Sequence, residues 1–396
     1  MIRITISLFL VIVCLSAATA QTTWVADNNF NAPTGPNVFS TVQQAVDAAS
    51  AGDIVQVQPS PTTYGNVNID KQLTLMGIGF NVDKEIPLLS NMGSIALRNN
   101  IDNTSDSDGT IITGLNFTRL FPGFDTGPDF VLENILIQNC QFEYLYNINT
   151  GNGYSPIDGL EIRDCYVYGN IGGFGMIFGL SATNVIIRNN LMLLGISFQS
   201  TSPGSNIITN NIIYDGIYIN AEGTNTTILN NNFIASSGGD AAFLTELKDC
   251  IVANNIFYGM TPSIVNAGNS TSTNFQRNSF TNNLVFSTGD DVMPPAGGGV
   301  GNSGSGNITG TSPLFTNVQL LNTWSSAYDF SLQAGSPALN AGSDATDIGI
   351  TGGSYPFPNT NLLLKTTAAP VIQILNTTTV INPGDDLPVR IKANSN

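Results

Sequence analysis

Arg163 and Arg188 stand 25 residues apart, each just before a turn, with Glu161 and Asp164 close by in the sequence. Two readings fit them: an arginine that takes a proton from a sugar ring, or a solvated ladder of ion pairs, which is the simpler. Arg98 and Arg119 offer the same base chemistry from the less regular sequence before residue 150. The chain has no histidine. That removes Ser-His-Asp and Cys-His nucleophiles, His-ligated zinc and histidine general bases together.

Five of the 11 tyrosines fall within one short stretch, as Tyr144, Tyr146, Tyr154, Tyr166 and Tyr168, and Tyr218 follows on a later apolar segment. Exposed rings of this kind stack on sugar faces while neighbouring Asn and Asp bond the hydroxyls; the plainer reading is ordinary packing. Asp102, Asp106 and Asp108 alternate with small residues ahead of Gly109, in the manner of the front of a calcium loop. Thr104 stands where the first acidic ligand belongs and Leu115 where the closing Glu would be. Calcium is the cofactor for which the sequence offers candidate ligands. Asp290-Asp291 would serve a two-carboxylate glycosidase only if folded into one groove.

The elements that must position these groups are repeats. Aligned on the second residue of an Asn-rich turn, the copies fall at Cys140, Cys165, Asn190, Asn211, Asn232, Asn255 and Asn283, with intervals of 25, 25, 21, 21, 23 and 28. Those periods are solenoidal, and each copy is a set of apolar runs too short for helices, punctuated by Gly and Asn. Such a unit cannot bury its inner face alone, so it must stack on its neighbours. Asn tolerates positive φ and can hydrogen-bond along the stack. Cys140 and Cys165 in neighbouring coils would lie about 4.8 Å apart, within bridging range, yet in-register stacking gives poor bridge torsions and favours two buried thiols.

On these residues the repeats resemble the right-handed parallel β-helix of the pectate-lyase-like superfamily, whose Asn ladder lies between its second and third sheets. The opening Thr41-to-Gly79 stretch, with Ala45-Val46-Asp47-Ala48-Ala49 and Leu73-Thr74-Leu75-Met76-Gly77, is similar to that family's N-terminal cap and first coil. Tyr328 to Gly342 with Asp347-Ile348-Gly349 is similar to its closing coil. The resemblance implies an all-β, three-sheet solenoid with a short capping helix at about 38–52. It also implies acidic calcium ligands and a basic proton acceptor on the outer face of the first sheet. The outward positions expected there, Ile177, Ser197, Gln199, Tyr218, Asn220, Phe243 and Thr245, carry no charge.

Residues 1–20 read as a secretory signal, with Arg3, an apolar run and Ala18-Thr19-Ala20, so the expected product is secreted or at the cell surface, with no transmembrane segment after cleavage. The β-helix would then occupy 21–350, followed by a linker at 351–369 and a short β tail at 370–396, read either as docked on the helix or as the start of an incomplete β-sandwich module. The formal net charge is −16, a surface that repels nucleic acid and anionic membranes. The expectation is a secreted, non-catalytic β-helix presenting an extended surface for binding, with polysaccharide or cell-surface glycan as the expected partner. Its alternatives are a polysaccharide lyase or glycoside hydrolase, and a structural spacer or adhesin module.

Overall fold

Left-handed residues five apart set the rhythm of the chain. Asn134 and Asn139, Gly159 and Asp164, Asn184 and Asn189, Asn225 and Asn230, Asp249 and Asn254, Arg277 and Asn282 all have positive φ. Each pair brackets one three-residue strand, such as Ile186–Arg188 between Asn184 and Asn189. Asn and Asp enter this conformation readily because their short polar side chains bond locally. In the computed structural model, which describes residues 21–80, 88–98, 106–123, 131–147, 156–168, 174–178, 182–198, 204–219, 225–234, 244–245, 247–259, 275–286, 291–295, 300–319, 324–357, 371–377 and 389–394, these strands stack in parallel into a 13-stranded narrow sheet. The expected signal at 1–20 lies outside the described residues.

The second half of each coil forms a 15-stranded broad sheet, also parallel through the body of the stack. In Gln141–Asn147 the inward residues are Phe142, Leu145 and Asn147, so Glu143 and Tyr144 both point outward in succession. Asn116–Pro122 and Asn91–Leu97 show the same double outward step. Strict alternation would place successive side chains on opposite faces, so this step marks a corner that divides the broad sheet into two flats. From Tyr166 onward the flats are separate strands, for example Leu191–Met192 and Gly195–Phe198. The narrow sheet and the two flats give the solenoid three faces, as expected.

The core between the faces is built from in-register columns. Ile112, Ile137, Ile162, Ile187, Ile208, Ile228, Val252 and Phe280 run down the narrow sheet and are fully buried. Phe117 and Phe142 stack at 5.0 Å, Phe178 and Phe198 at 4.7 Å, Phe233 and Phe257 at 4.8 Å, the spacing of neighbouring strands. The N-terminal end is covered by helix α1, Val42–Ala48, whose cap Thr41 accepts a hydrogen bond from the Gln44 N–H.

The ladder residue directly follows the second left-handed residue. The Oδ1 of Asn211 accepts from both the N–H and the side-chain amide of Asn190, and the relation repeats through Asn231, Asn255, Asn283 and Asn307. In the coil containing three consecutive asparagines, the rung is therefore Asn231 and not Asn232. Asn230 takes the left-handed position, while Asn232 begins the next strand and accepts from the Ile350 N–H. Cys140 and Cys165 are free, buried thiols.

The described residues from 315 to 357 do not seal the end of the stack but return along its flank. Leu191, Ile212, Ile256 and Leu284 face outward from the first flat, and Phe315, Tyr328, Phe330, Ile348, Ile350 and Phe357 cover them. The strap is held by the left-handed asparagines. Asn210 donates to the carbonyls of Ile350 and Gly352, Asn230 to Asp347 and Gly349, Asn189 to Tyr355 and Asn282 to Ala341. Residues 351–357, expected as linker, thus belong to the flank, because their carbonyls satisfy these amides. Val371–Thr377 and Val389–Asn394 pair antiparallel in the expected β tail.

Candidate functional site

The outer surface near the corner carries a line of aromatic rings. Tyr144 and Tyr146 stack at 5.2 Å with planes 13° apart, and Phe121 lies 6.4 Å from Tyr146. On the other side of the corner, Tyr168 lies 6.0 Å from Tyr166, and Tyr166 lies 5.7 Å from Trp324 and 6.4 Å from Phe80. Strand register explains the grouping. Phe121 and Tyr146 occupy one outward row, while Tyr166 pairs with Gln141 so that Tyr168 falls beside Glu143. Tyr166 is the first apolar-faced residue of an outward column that runs from Asn116 and Gln141 and continues as Leu191 and Ile212 beneath the strap. It marks the edge where the covered flank gives way to open surface.

The rings from Phe121 to Trp324 are partly exposed, and the partly exposed Glu143 interrupts the line at the corner. Burial raises the Tyr146 phenol, with the neighbouring Tyr144 adding to the shift and Arg119 opposing it. Burial and then the Glu143 charge raise Tyr168. These phenols are therefore neutral hydrogen-bond donors at ordinary pH, an apolar face with a polar tip. Tyr218 stands in the same outward row as Tyr146, three strands farther along through Ile177 and Ser197, or about 14 Å away. Tyr154 lies outside the described residues.

Arg119 is the register partner of Tyr144 and is exposed. Among the described residues its guanidinium has no ion-pair partner. Arg98 follows the strand Asn91–Leu97 directly, and its N–H donates to Ile69. Arg163 and Arg188 lie elsewhere, side by side on the narrow sheet. Glu161 accepts from Arg188 at 2.7 and 2.8 Å and lies 3.5 Å from Arg163, which also meets Asp164 at 3.5 Å. The Arg188 guanidinium sits 4.8 Å over the Tyr355 ring. The Arg188 guanidinium is engaged by a carboxylate and an aromatic face, so this pair reads as the ion-pair ladder.

The described acids of the loop are engaged by backbone N–H groups. Asp108 accepts from the Glu133 N–H at 2.7 Å and Asp106 from the Asp108 N–H at 3.3 Å. Burial, with the nearby Asp106 and Glu133 charges, raises the Asp108 carboxyl. Asp102 lies outside the described residues, and no group of three or more metal-capable side chains occurs among the described residues. Asp106 and Asp108 alone do not make a calcium cage.

Sequence reading found the tyrosines but missed Phe121, Phe80 and Trp324. The double outward step that brings Phe121 beside Tyr146 shows only once the corner is known. Trp324 arrives from the strap, 158 residues beyond Tyr166.

No protein-family model matches the chain, and no curated protein matches it. Among solved structures it is similar to pectate lyase Pel9A, at 14% identity over 84% of this chain and 96% of that one, with a TM-score of 0.45. No helix among the described residues is long and apolar enough to cross a membrane. By its own parallel strand pairing, three faces and asparagine ladder, the chain is a right-handed parallel β-helix.

Proposed function

We propose that this protein is a non-catalytic, extracellular β-helix that binds polysaccharide along the aromatic line from Phe121 to Trp324. The observation that carries the reading is two groups of partly exposed rings on one surface, with centroid steps of 6.4 and 5.2 Å on one side of Glu143 and of 6.0 and 5.7 Å on the other. Flat apolar faces set at such intervals, with phenol and carboxylate groups at their edges, suit consecutive sugar rings. A second reading, a polysaccharide lyase, is favoured by the exposed Arg119 beside Tyr144.

One experiment separates them. The protein is run through native gels containing neutral or uronic polysaccharides, with and without calcium, while absorbance follows any unsaturated product. Retardation without product, abolished in a Tyr144→Ala/Tyr146→Ala double variant of unchanged melting temperature, supports binding. Appearance of unsaturated uronate favours the lyase. Migration unaltered by every glycan overturns both and leaves the spacer.

A further inference from the structure

We infer that the ligand of the aromatic line is a heteropolysaccharide in which acidic and neutral sugars alternate. The inference rests on the binding reading above and concerns which glycan that surface selects.

The charges along the line change sign over one residue of chain. Arg119 is exposed and lies one strand from Tyr144, about 4.8 Å away in register. Its field reaches the Tyr146 phenol. Glu143, adjacent to Tyr144 in the chain, faces the corner, and its charge reaches both Tyr146 and Tyr168. Beyond Glu143 the partly exposed rings are Tyr168, Tyr166 and Trp324, and no basic side chain contributes to the raised phenols of Tyr166 and Tyr168.

An anionic sugar stacked on Tyr144 thus gains a cation at its edge. The next sugar meets a carboxylate, where a second anion at about 4 Å is repelled by about 1 kcal/mol in water and more near a protein surface. A homopolymer of uronate places a carboxylate at both positions, against the added field of a chain with net charge −16. A neutral glucan avoids the repulsion and forgoes the cation. Only a chain that sets a neutral sugar beside the acidic one satisfies Arg119 and Glu143 together.

The test uses three probes at low salt: cellohexaose, polygalacturonate oligomers, and hyaluronan oligomers, in which glucuronate alternates with N-acetylglucosamine. Dissociation constants are measured for the full chain and for Arg119→Gln and Glu143→Gln, both surface changes. The expected order has the alternating oligomer binding at least about tenfold tighter than either other probe, a gap of about 1.4 kcal/mol. Arg119→Gln should bring it to the level of cellohexaose, and Glu143→Gln should strengthen polygalacturonate selectively. Equal affinity for cellohexaose and the alternating oligomer, unmoved by Arg119→Gln, overturns the inference and leaves glycan binding standing. Tightest binding of polygalacturonate by the unaltered chain overturns it too. If no probe binds and the gel panel is also negative, the binding reading falls and the inference with it.

Discussion

The backbone N–H of Cys165 donates to the Oδ1 of Asn190 at 2.9 Å, so the column of thiols and the column of amides are one ladder joined at this pair. The Cys165 thiol also reaches the carbonyls of Ile137 and Arg163. Those correspond to the carbonyls of Ile187 and Thr209 that the Asn211 amide reaches. A weak S–H donor therefore stands where a stronger N–H donor fits.

Replacing Cys165 with Asn, a side chain of similar volume, should extend the ladder by one rung. Urea unfolding should show a gain of about 1 kcal/mol from the added hydrogen bonds. The reverse change, Asn211→Cys, should cost about 2 kcal/mol because Asn190 loses a strong acceptor in a dry site. A destabilising Cys165→Asn would show that the thiol does not substitute for the amide.

Asn210 holds the strap through two carbonyls while keeping a left-handed backbone with φ of 54°. Asn210→Gly retains that conformation at little steric cost and removes both bonds. Amide exchange in residues 347–352 should accelerate about tenfold or more, while the strands beneath stay protected. Uniform acceleration through the coils would mean that the strap and the stack open as one unit.

Tyr64 is buried, donates to the Ala26 carbonyl at 3.2 Å and accepts from the Asn28 N–H at 3.3 Å. Burial pushes its phenol up to about 12. A group whose folded pKa is raised stabilises fully below its unfolded value, about 10 for tyrosine, and that contribution fades as pH climbs from 10 toward 12. Tyr64→Phe should be less stable at neutral pH by about 1 kcal/mol yet lose less than the parent between pH 9 and 11.5. Parallel pH profiles for the two proteins would refute a titrating role for Tyr64.

How far the sequence disclosed this molecule depends on which spacing is read. The fold was legible because Ile137, Ile162, Ile187 and Ile208 recur at coil intervals ahead of Asn-rich turns. The rung in the third Asn-rich coil was misplaced because Asn230, Asn231 and Asn232 are chemically alike and do three different jobs. The five-residue interval from Asn225 to Asn230 would have resolved them. The strap was not legible as a flank cover, although Leu191, Ile212, Ile256 and Leu284 at outward positions required one. The tyrosines were visible, but their meeting with Phe121 and Trp324 depends on a corner and a long return of the chain.

The constant interval of five between left-handed residues has an evolutionary consequence. Where such a pair occurs, the stave between its members is fixed in length, so the coil varies elsewhere. Successive rungs are 21, 20, 24, 28 and 24 residues apart. Part of that variation enters at the corner, where nine residues lie between Ile234 and Leu244 but three between Ile213 and Ile217. Loops can therefore be lengthened or exchanged away from the narrow sheet without disturbing its register with the neighbouring coils.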